Sequence, residues 1–182
     1  RFNIMLGDLS MTPVALSAQV IVNCQAGGDC NGGDPADVYT FASEQGIPHS
    51  SCEQYTATNL KKDHCEDIDI CRDCTWPPCP VNETCIDKCW AVDYKKYYVS
   101  DYYSLDGAEH MKAELFKNGP ISCGIQATNN FEKNYTGGIY KEYIQYPMLN
   151  HEIAVVGYGA DAETGEEYWI GRNSWRTYWG EG

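Results

Sequence analysis

No apolar run in this 182-residue sequence approaches the ~18 residues that a membrane-crossing helix requires, so no membrane span is expected. Basic side chains are scarce. Thirteen Lys and Arg stand against 26 Asp and Glu, a formal net charge of −13. A polyanionic partner would be repelled, so neither nucleic acid nor an anionic membrane surface suits this chain. The sequence has no internal repeat and no low-complexity tract, which leaves out repeat arrays. No signal peptide is visible, and the chain opens on Arg1 rather than Met. That reads as a processed or incomplete product.

What is present points to a folded, oxidised protein. The sequence is 43% hydrophobic and 21% charged, with 14 Tyr and 5 Trp. Disordered chains are poor in aromatics, so global disorder is excluded. The length suits one domain, or two small lobes sharing a core. Nine of the ten cysteines fall between Cys24 and Cys89. Such density implies an oxidising compartment and a disulfide framework. Sequons at Asn82 and Asn134 agree with secretory passage and mark both as expected glycosylation sites.

Residues 1–9 carry Phe2, Ile4, Met5 and Leu6 before a Gly-containing break, as in the tail of a helix. Ser17 is placed to cap a short helix through Asn23, with Val20 and Ile21 inward. Cys24 to Gly33 reads as a glycine-rich loop. Asp34-Pro35 then starts a second helix, with Val38, Phe41, Ala42 and Gln45 at helical spacing and Gly46 as its stop. Residues 47–90 lack periodicity and are expected to be loop held by crosslinks. Asp106 is expected to cap a third helix that ends at Asn118-Gly119-Pro120. Strands are expected at Ile121–Ile125, Gly138–Tyr143, Ile153–Tyr158 and Tyr168–Gly171. Helices first and strands afterwards suggest an α+β protein with segregated lobes, the composition changing near Tyr97.

The strongest local feature is a hairpin near the C-terminus. His151 opens the run Ile153-Ala154-Val155-Val156, and Tyr168-Trp169-Ile170 leads to Asn173. Between them lies Asp161-Ala162-Glu163-Thr164-Gly165, a turn-forming stretch. A turn centred on Ala162 would set His151 opposite Asn173, unless a bulge shifts the register. A catalytic imidazole needs its tautomer and orientation fixed by a second group, and a carboxamide oxygen does this without adding charge. The alternative is a strand-edge histidine beside a turn asparagine.

Three segments resemble the papain-like cysteine proteases. They are Asn173-Ser174-Trp175 with Trp179-Gly180-Glu181, Asn150-His151 with Gly157-Tyr158-Gly159, and Cys30-Asn31-Gly32-Gly33. Further stretches are similar to a carboxypeptidase-type cathepsin branch of that family. These are Leu16-Ser17-Ala18-Gln19, Cys71-Arg72-Asp73-Cys74, Asn118-Gly119-Pro120-Ile121 and Asn134-Tyr135-Thr136-Gly137-Gly138-Ile139-Tyr140. The resemblance implies a two-lobed α+β fold, with a helical, disulfide-rich left lobe over 1–97 and a β-rich right lobe over 98–182. It implies His151 as general base and acid, Asn173 as its orienter, and Trp175 as the indole that shields their bond. Gly32 and Gly33 become the cleft wall along which a substrate backbone runs. No cofactor and no metal are implied.

The family's nucleophile motif, C-G-[SA]-C-[WY], does not occur here. The resemblance places that cysteine upstream of Arg1, and a further strand after Gly182, so the chain is expected to be incomplete at both ends. Exposed apolar faces would then cost about 1.5–3 kcal/mol per Leu-sized side chain. Partners are accordingly expected: the remaining segments of the same polypeptide or a surrounding complex, besides a peptide or protein substrate. By resemblance the disulfides are Cys24–Cys65, Cys52–Cys71 and Cys74–Cys89. Cys79 and Cys85 are placed to close their own loop, and the partners of Cys30 and Cys123 lie elsewhere. A zinc site from Cys71, Cys74, Cys85 and Cys89 is the rival reading of those spacings. Arg176 stands where the family pattern usually has Gly, and a positive φ there would strain it.

The function implied is a lysosomal or secreted cysteine peptidase of carboxypeptidase type. Its rivals are a non-catalytic relative kept as a structural or binding component, and a disulfide-rich binding module. The latter predicts no contact between His151 and Asn173. His49, His64 and His110 give no usable signal.

Overall fold

The computed structural model describes residues 1, 7, 14–58, 65–74 and 89–182. These residues form two compact units, one within residues 12–103 and one within 104–182 that also takes in Arg1. The expected helix tail at Phe2–Leu6, the Cys79–Cys85 loop, Asn82 and His64 lie outside the described residues.

In the first unit, α1 (Ala18–Asn23) starts where Ser17 Oγ accepts the Val20 N–H at 3.2 Å. The same hydroxyl donates to Glu53 O at 2.7 Å, so the cap also ties down a distant strand of chain. Val20 is fully buried beneath it. Asp34 caps α2 (Pro35–Glu44) by accepting the Ala36 N–H at 2.8 Å, with Pro at the helix start. Both starts follow from side chains that satisfy otherwise orphaned amides.

Two expectations for this unit need correction. The glycine-rich stretch is a short antiparallel ladder, β1 (Gly28–Asp29) on β2 (Gly32–Gly33), rather than open loop. A Cβ on Gly28 would sit 2.2 Å from Gly32 O, and one on Gly33 would sit 2.1 Å from Gly27 O. Only glycine lets the strands close that far. Residues 47–90 also contain regular structure. α3 (Asp67–Ile70) starts where Asp69 Oδ2 accepts the Glu66 N–H at 3.1 Å. β3 (Arg72–Cys74) then pairs antiparallel with β4 (Cys89–Ala91), Cys74 directly opposite Cys89. Segments of three or four residues are too short to show a period in sequence.

Disulfides join Cys24–Cys65, Cys52–Cys71 and Cys74–Cys89 across separations of 41, 19 and 15 residues. Closing loops of that size restricts the unfolded chain by about 3–4 kcal/mol each in the chain-entropy picture. That matters because much of the unit's interior is polar: Ser17, Gln19, Asn23, Glu53 and Asp69 are all buried. Asn23 Nδ2 donates to Asp69 O at 3.0 Å, and Arg72 Nη2 meets Glu53 Oε1 at 2.9 Å. Burial pushes the Glu53 carboxyl above its ordinary range, and the Arg72 guanidinium offsets this only in part.

The second unit is built on a three-stranded antiparallel sheet, β5 (Ile121–Ile125), β6 (His151–Ala160) and β7 (Glu167–Arg172), with β6 central. α4 (Ala108–Asn118) covers it, and Leu115, Ile121 and Val155 form the core with Met111, Cys123 and Ile153 around them. α4 begins one residue later than a cap at Asp106 would set it. Gly107, at φ 87°, takes the N-cap position, and the Asp106 carbonyl accepts from His110 Nδ1 at 2.9 Å instead. Gly138–Tyr143 is not a strand and joins no ladder among the described residues. Gly137 and Gly138 take φ of 150° and 76°, and Glu142 accepts from Thr128 Oγ1 and Tyr140 OH rather than facing a neighbouring strand. Those two bonds, Tyr140 first, hold the Glu142 carboxyl below its ordinary range. Between β5 and this stretch lies α5 (Asn129–Asn134), capped by Thr128.

Candidate active site

His151 is the first residue of β6, registered against Ile125 of β5. Asn173 follows directly after β7. The two are not a direct cross-strand pair, which corrects the register expected from a turn at Ala162. A wider turn moves the register, and a bulge undoes part of that shift. Asp161 Oδ1 accepts from Glu163 N at 3.1 Å, Thr164 N at 2.7 Å and Thr164 Oγ1 at 2.8 Å, and Asp161 N donates to Glu166 O at 2.8 Å. This carboxylate organises a wider turn, and the bonds from Thr164, its backbone N–H first, hold its proton affinity down. A bulge between Val155 and Gly157 then takes back one position of that shift, so that Ala154 faces Arg172. Carried past its end, this register sets His151 across from Trp175. Their rings do stack, with centroids 4.7 Å apart at 29°.

Asn173 still reaches the imidazole, from beyond the strand end. His151 Nε2 lies 2.8 Å from Asn173 Oδ1. The Ser174 N–H points at the same atom, at 2.7 Å. A backbone N–H can only donate, so that atom is the amide oxygen, and Nε2 must carry the proton that faces it. Nδ1 is then the nitrogen with the lone pair, able to take up a proton from an acid brought to it. Asn173 Nδ2 is buried and has no hydrogen-bond partner among the described residues. A desolvated donor of this kind costs about 1–3 kcal/mol, so Asn173 is held by its oxygen alone.

Around the pair stands an aromatic cluster that sequence reasoning missed. Trp175 meets Trp179 at 5.0 Å and 86°, and Phe131 at 5.9 Å. Phe131 lies 4.9 Å from both Trp179 and Tyr140, and Tyr135 lies 5.1 Å from Trp179. Trp179 Nε1 donates to Glu132 O at 3.1 Å, fastening the C-terminal segment to α5. The available signal was the spacing: Phe131 on α5 and Tyr135 just past its end are four apart, as are Trp175 and Trp179 in the chain.

The other expected residues fall as follows. Gly32 and Gly33 form β2 in the unit of residues 12–103, both exposed. Arg176 has φ 65°, the left-handed region where a side chain is strained. Asn134 closes α5, is exposed, and donates to Asn130 Oδ1 at 2.9 Å. Cys30 and Cys123 carry free thiols. The Cys123 thiol is pushed up by burial first and by Glu152 second, which suits an inert packing role. The zinc alternative fails, because Cys71 and Cys74 are spent in different disulfides.

A family model described as "Papain family cysteine protease" matches residues 5–182. The chain belongs to the papain family of cysteine proteases. Among papain-family relatives, cathepsin Z of Onchocerca volvulus is 41% identical over all 182 residues, which cover 100% of this chain and 54% of that protein. A solved procathepsin B S9 from Trypanosoma congolense superposes with a TM-score of 0.71 at 26% identity, covering 100% of this chain and 56% of that one. Digestive procathepsin L 3 of Tenebrio molitor larval midgut gives 0.69 at 27%, covering 99% and 50%. The chain thus spans about half the length of these papain-family proteins. The mixed helix and sheet architecture with its disulfides is the papain-like one expected from sequence.

Proposed function

We propose that this chain belongs to a cysteine-type peptidase of the cathepsin Z kind, a carboxypeptidase that works by Cys-His-Asn chemistry in a lysosomal or secreted setting. The observation that carries the reading is the His151–Asn173 bond, 2.8 Å long and covered by the Trp175 ring. A nucleophilic cysteine outside this sequence would give its thiol proton to His151 Nδ1. The thiolate attacks the peptide carbonyl, and the imidazolium returns the proton to the departing amine. His151 then draws a proton from water as it attacks the acyl-enzyme. Asn173 keeps the imidazole in the required tautomer throughout. Gly32 and Gly33 would line the substrate backbone's path, and glycans would sit on Asn82 and Asn134. The carboxypeptidase direction rests on the resemblance to cathepsin Z.

The test uses the full-length protein and two peptides that differ only at the C-terminus, one a free carboxylate and one amidated. The free acid is shortened from its C-terminus and the amide is spared. His151→Ala lowers the rate by roughly 10²–10⁴-fold. A full-length chain with Ser, Gly or Ala in the nucleophile position and no cleavage of either peptide would make the protein a non-catalytic relative.

A further inference from the structure

We infer that the Arg176 guanidinium receives the C-terminal carboxylate of the substrate. The inference rests on the peptidase reading and gives its carboxypeptidase direction a residue of this chain. Arg176 directly follows Trp175, whose ring stacks on His151 at 4.7 Å. Consecutive Cα atoms lie about 3.8 Å apart, so a cation is rooted beside the shielded imidazole. Arg176 is exposed. Among the described residues, Arg1, Arg72, Lys112 and Lys141 each hold a glutamate, whereas Arg176 joins no ion pair. Its backbone is left-handed, with φ 65°. The turn is fixed by the Trp179 N–H, which donates to Arg176 O at 3.4 Å, and Trp179 is itself fastened to Glu132 O. Glycine would take this conformation without strain. A strained, unpaired cation beside a reacting group points to a function, because it adds nothing to stability.

The chemistry of the leaving group fits that position. When the last residue of a peptide is removed, the departing nitrogen is bonded to the Cα that carries the carboxylate. His151 protonates that nitrogen, so the carboxylate must come to rest near the imidazole on the leaving-group side. A chain of net charge −13 repels such an anion, and an unpaired guanidinium reverses the field locally. Its planar fork donates two parallel N–H bonds to the two carboxylate oxygens. An amidated end brings no charge, and its NH2 would face a fork that only donates.

The experiment measures kcat and KM of the full-length protein, Arg176→Gly and Arg176→Lys on the free-acid peptide and its amide. Arg176→Gly relieves the strained backbone, so its urea midpoint does not fall and lost activity cannot be put down to unfolding. It raises KM for the free acid about 10- to 100-fold, with kcat within about twofold, the signature of lost binding rather than lost chemistry. The preference for free acid over amide falls with it. Arg176→Lys keeps the charge without the fork and lies between Arg176→Gly and the parent. A parent that prefers the free acid, with the same preference in Arg176→Gly, overturns the inference and leaves the carboxypeptidase reading standing. A parent that cleaves the two peptides alike, or cleaves neither, overturns both.

Discussion

The backbone N–H of Ser174 decides which proton His151 carries. It occupies one lone pair of Asn173 Oδ1 at 2.7 Å, and so forbids the amide from turning its NH2 toward the imidazole 2.8 Å away. Without Asn173 the ring is free to take either tautomer and to rotate. Asn173→Ala is therefore expected to lower kcat of the full-length enzyme roughly 10- to 100-fold, the worth of one hydrogen bond to a group that becomes charged. Steady-state kinetics beside His151→Ala measures this, and an unchanged kcat would remove Asn173 from the chemistry.

Trp175 covers the imidazole with one ring and joins the aromatic cluster at its edges. Trp175→Phe keeps an aromatic face at smaller area, whereas Trp175→Ala opens the His151–Asn173 bond to water. The aromatic contacts are worth about 0.5–1.5 kcal/mol each. Trp175→Ala should lower both melting temperature and kcat, with Trp175→Phe recovering most of each. Calorimetry and kinetics on the same preparations check the two together.

Arg176 holds a left-handed backbone with a side chain that makes this costly by about 1–2 kcal/mol. Glycine avoids that strain and returns part of the gain as unfolded-state entropy. Arg176→Gly is expected to stabilise the protein by about 1 kcal/mol, read as a higher urea midpoint at unchanged slope.

Glu53 ties stability in the other unit to pH. Its folded-state carboxyl keeps its proton to higher pH than the unfolded value of 4.5, through burial first and against the pull of Arg72. Its favourable contribution is complete below that unfolded value and is lost as pH rises through the folded one. Glu53→Gln should therefore gain on the parent as the pH goes from about 4 to about 7. Arg72→Ala, which leaves the buried carboxylate unpaired, should lose ground over the same span. Urea denaturation at both ends of the range tests the sign.

The helix starts were readable because each rests on a local side-chain bond, Ser17 to Val20 and Asp34 to Ala36. The pairing of His151 with Asn173 was readable as a meeting, but not as a register. The three bonds to Asp161 Oδ1 and the bulge after Val155 each shift the hairpin, and neither has a periodic trace. The β3–β4 ladder escaped because three-residue strands have no period. The cluster of Phe131 with Trp179 escaped because residues 48 apart in sequence meet only through tertiary folding. The expected strand at Gly138–Tyr143 failed for the opposite reason: the residue types suit a strand, but the segment joins no ladder among the described residues, and its Glu142 bonds Thr128 and Tyr140 instead.

Among the described residues, every cystine lies within 12–103, while His151, Asn173 and Trp175 all lie within 104–182. Thiol-reducing conditions would therefore remove crosslinks from residues 12–103 and, among the described residues, none from the stretch that joins His151 to Asn173.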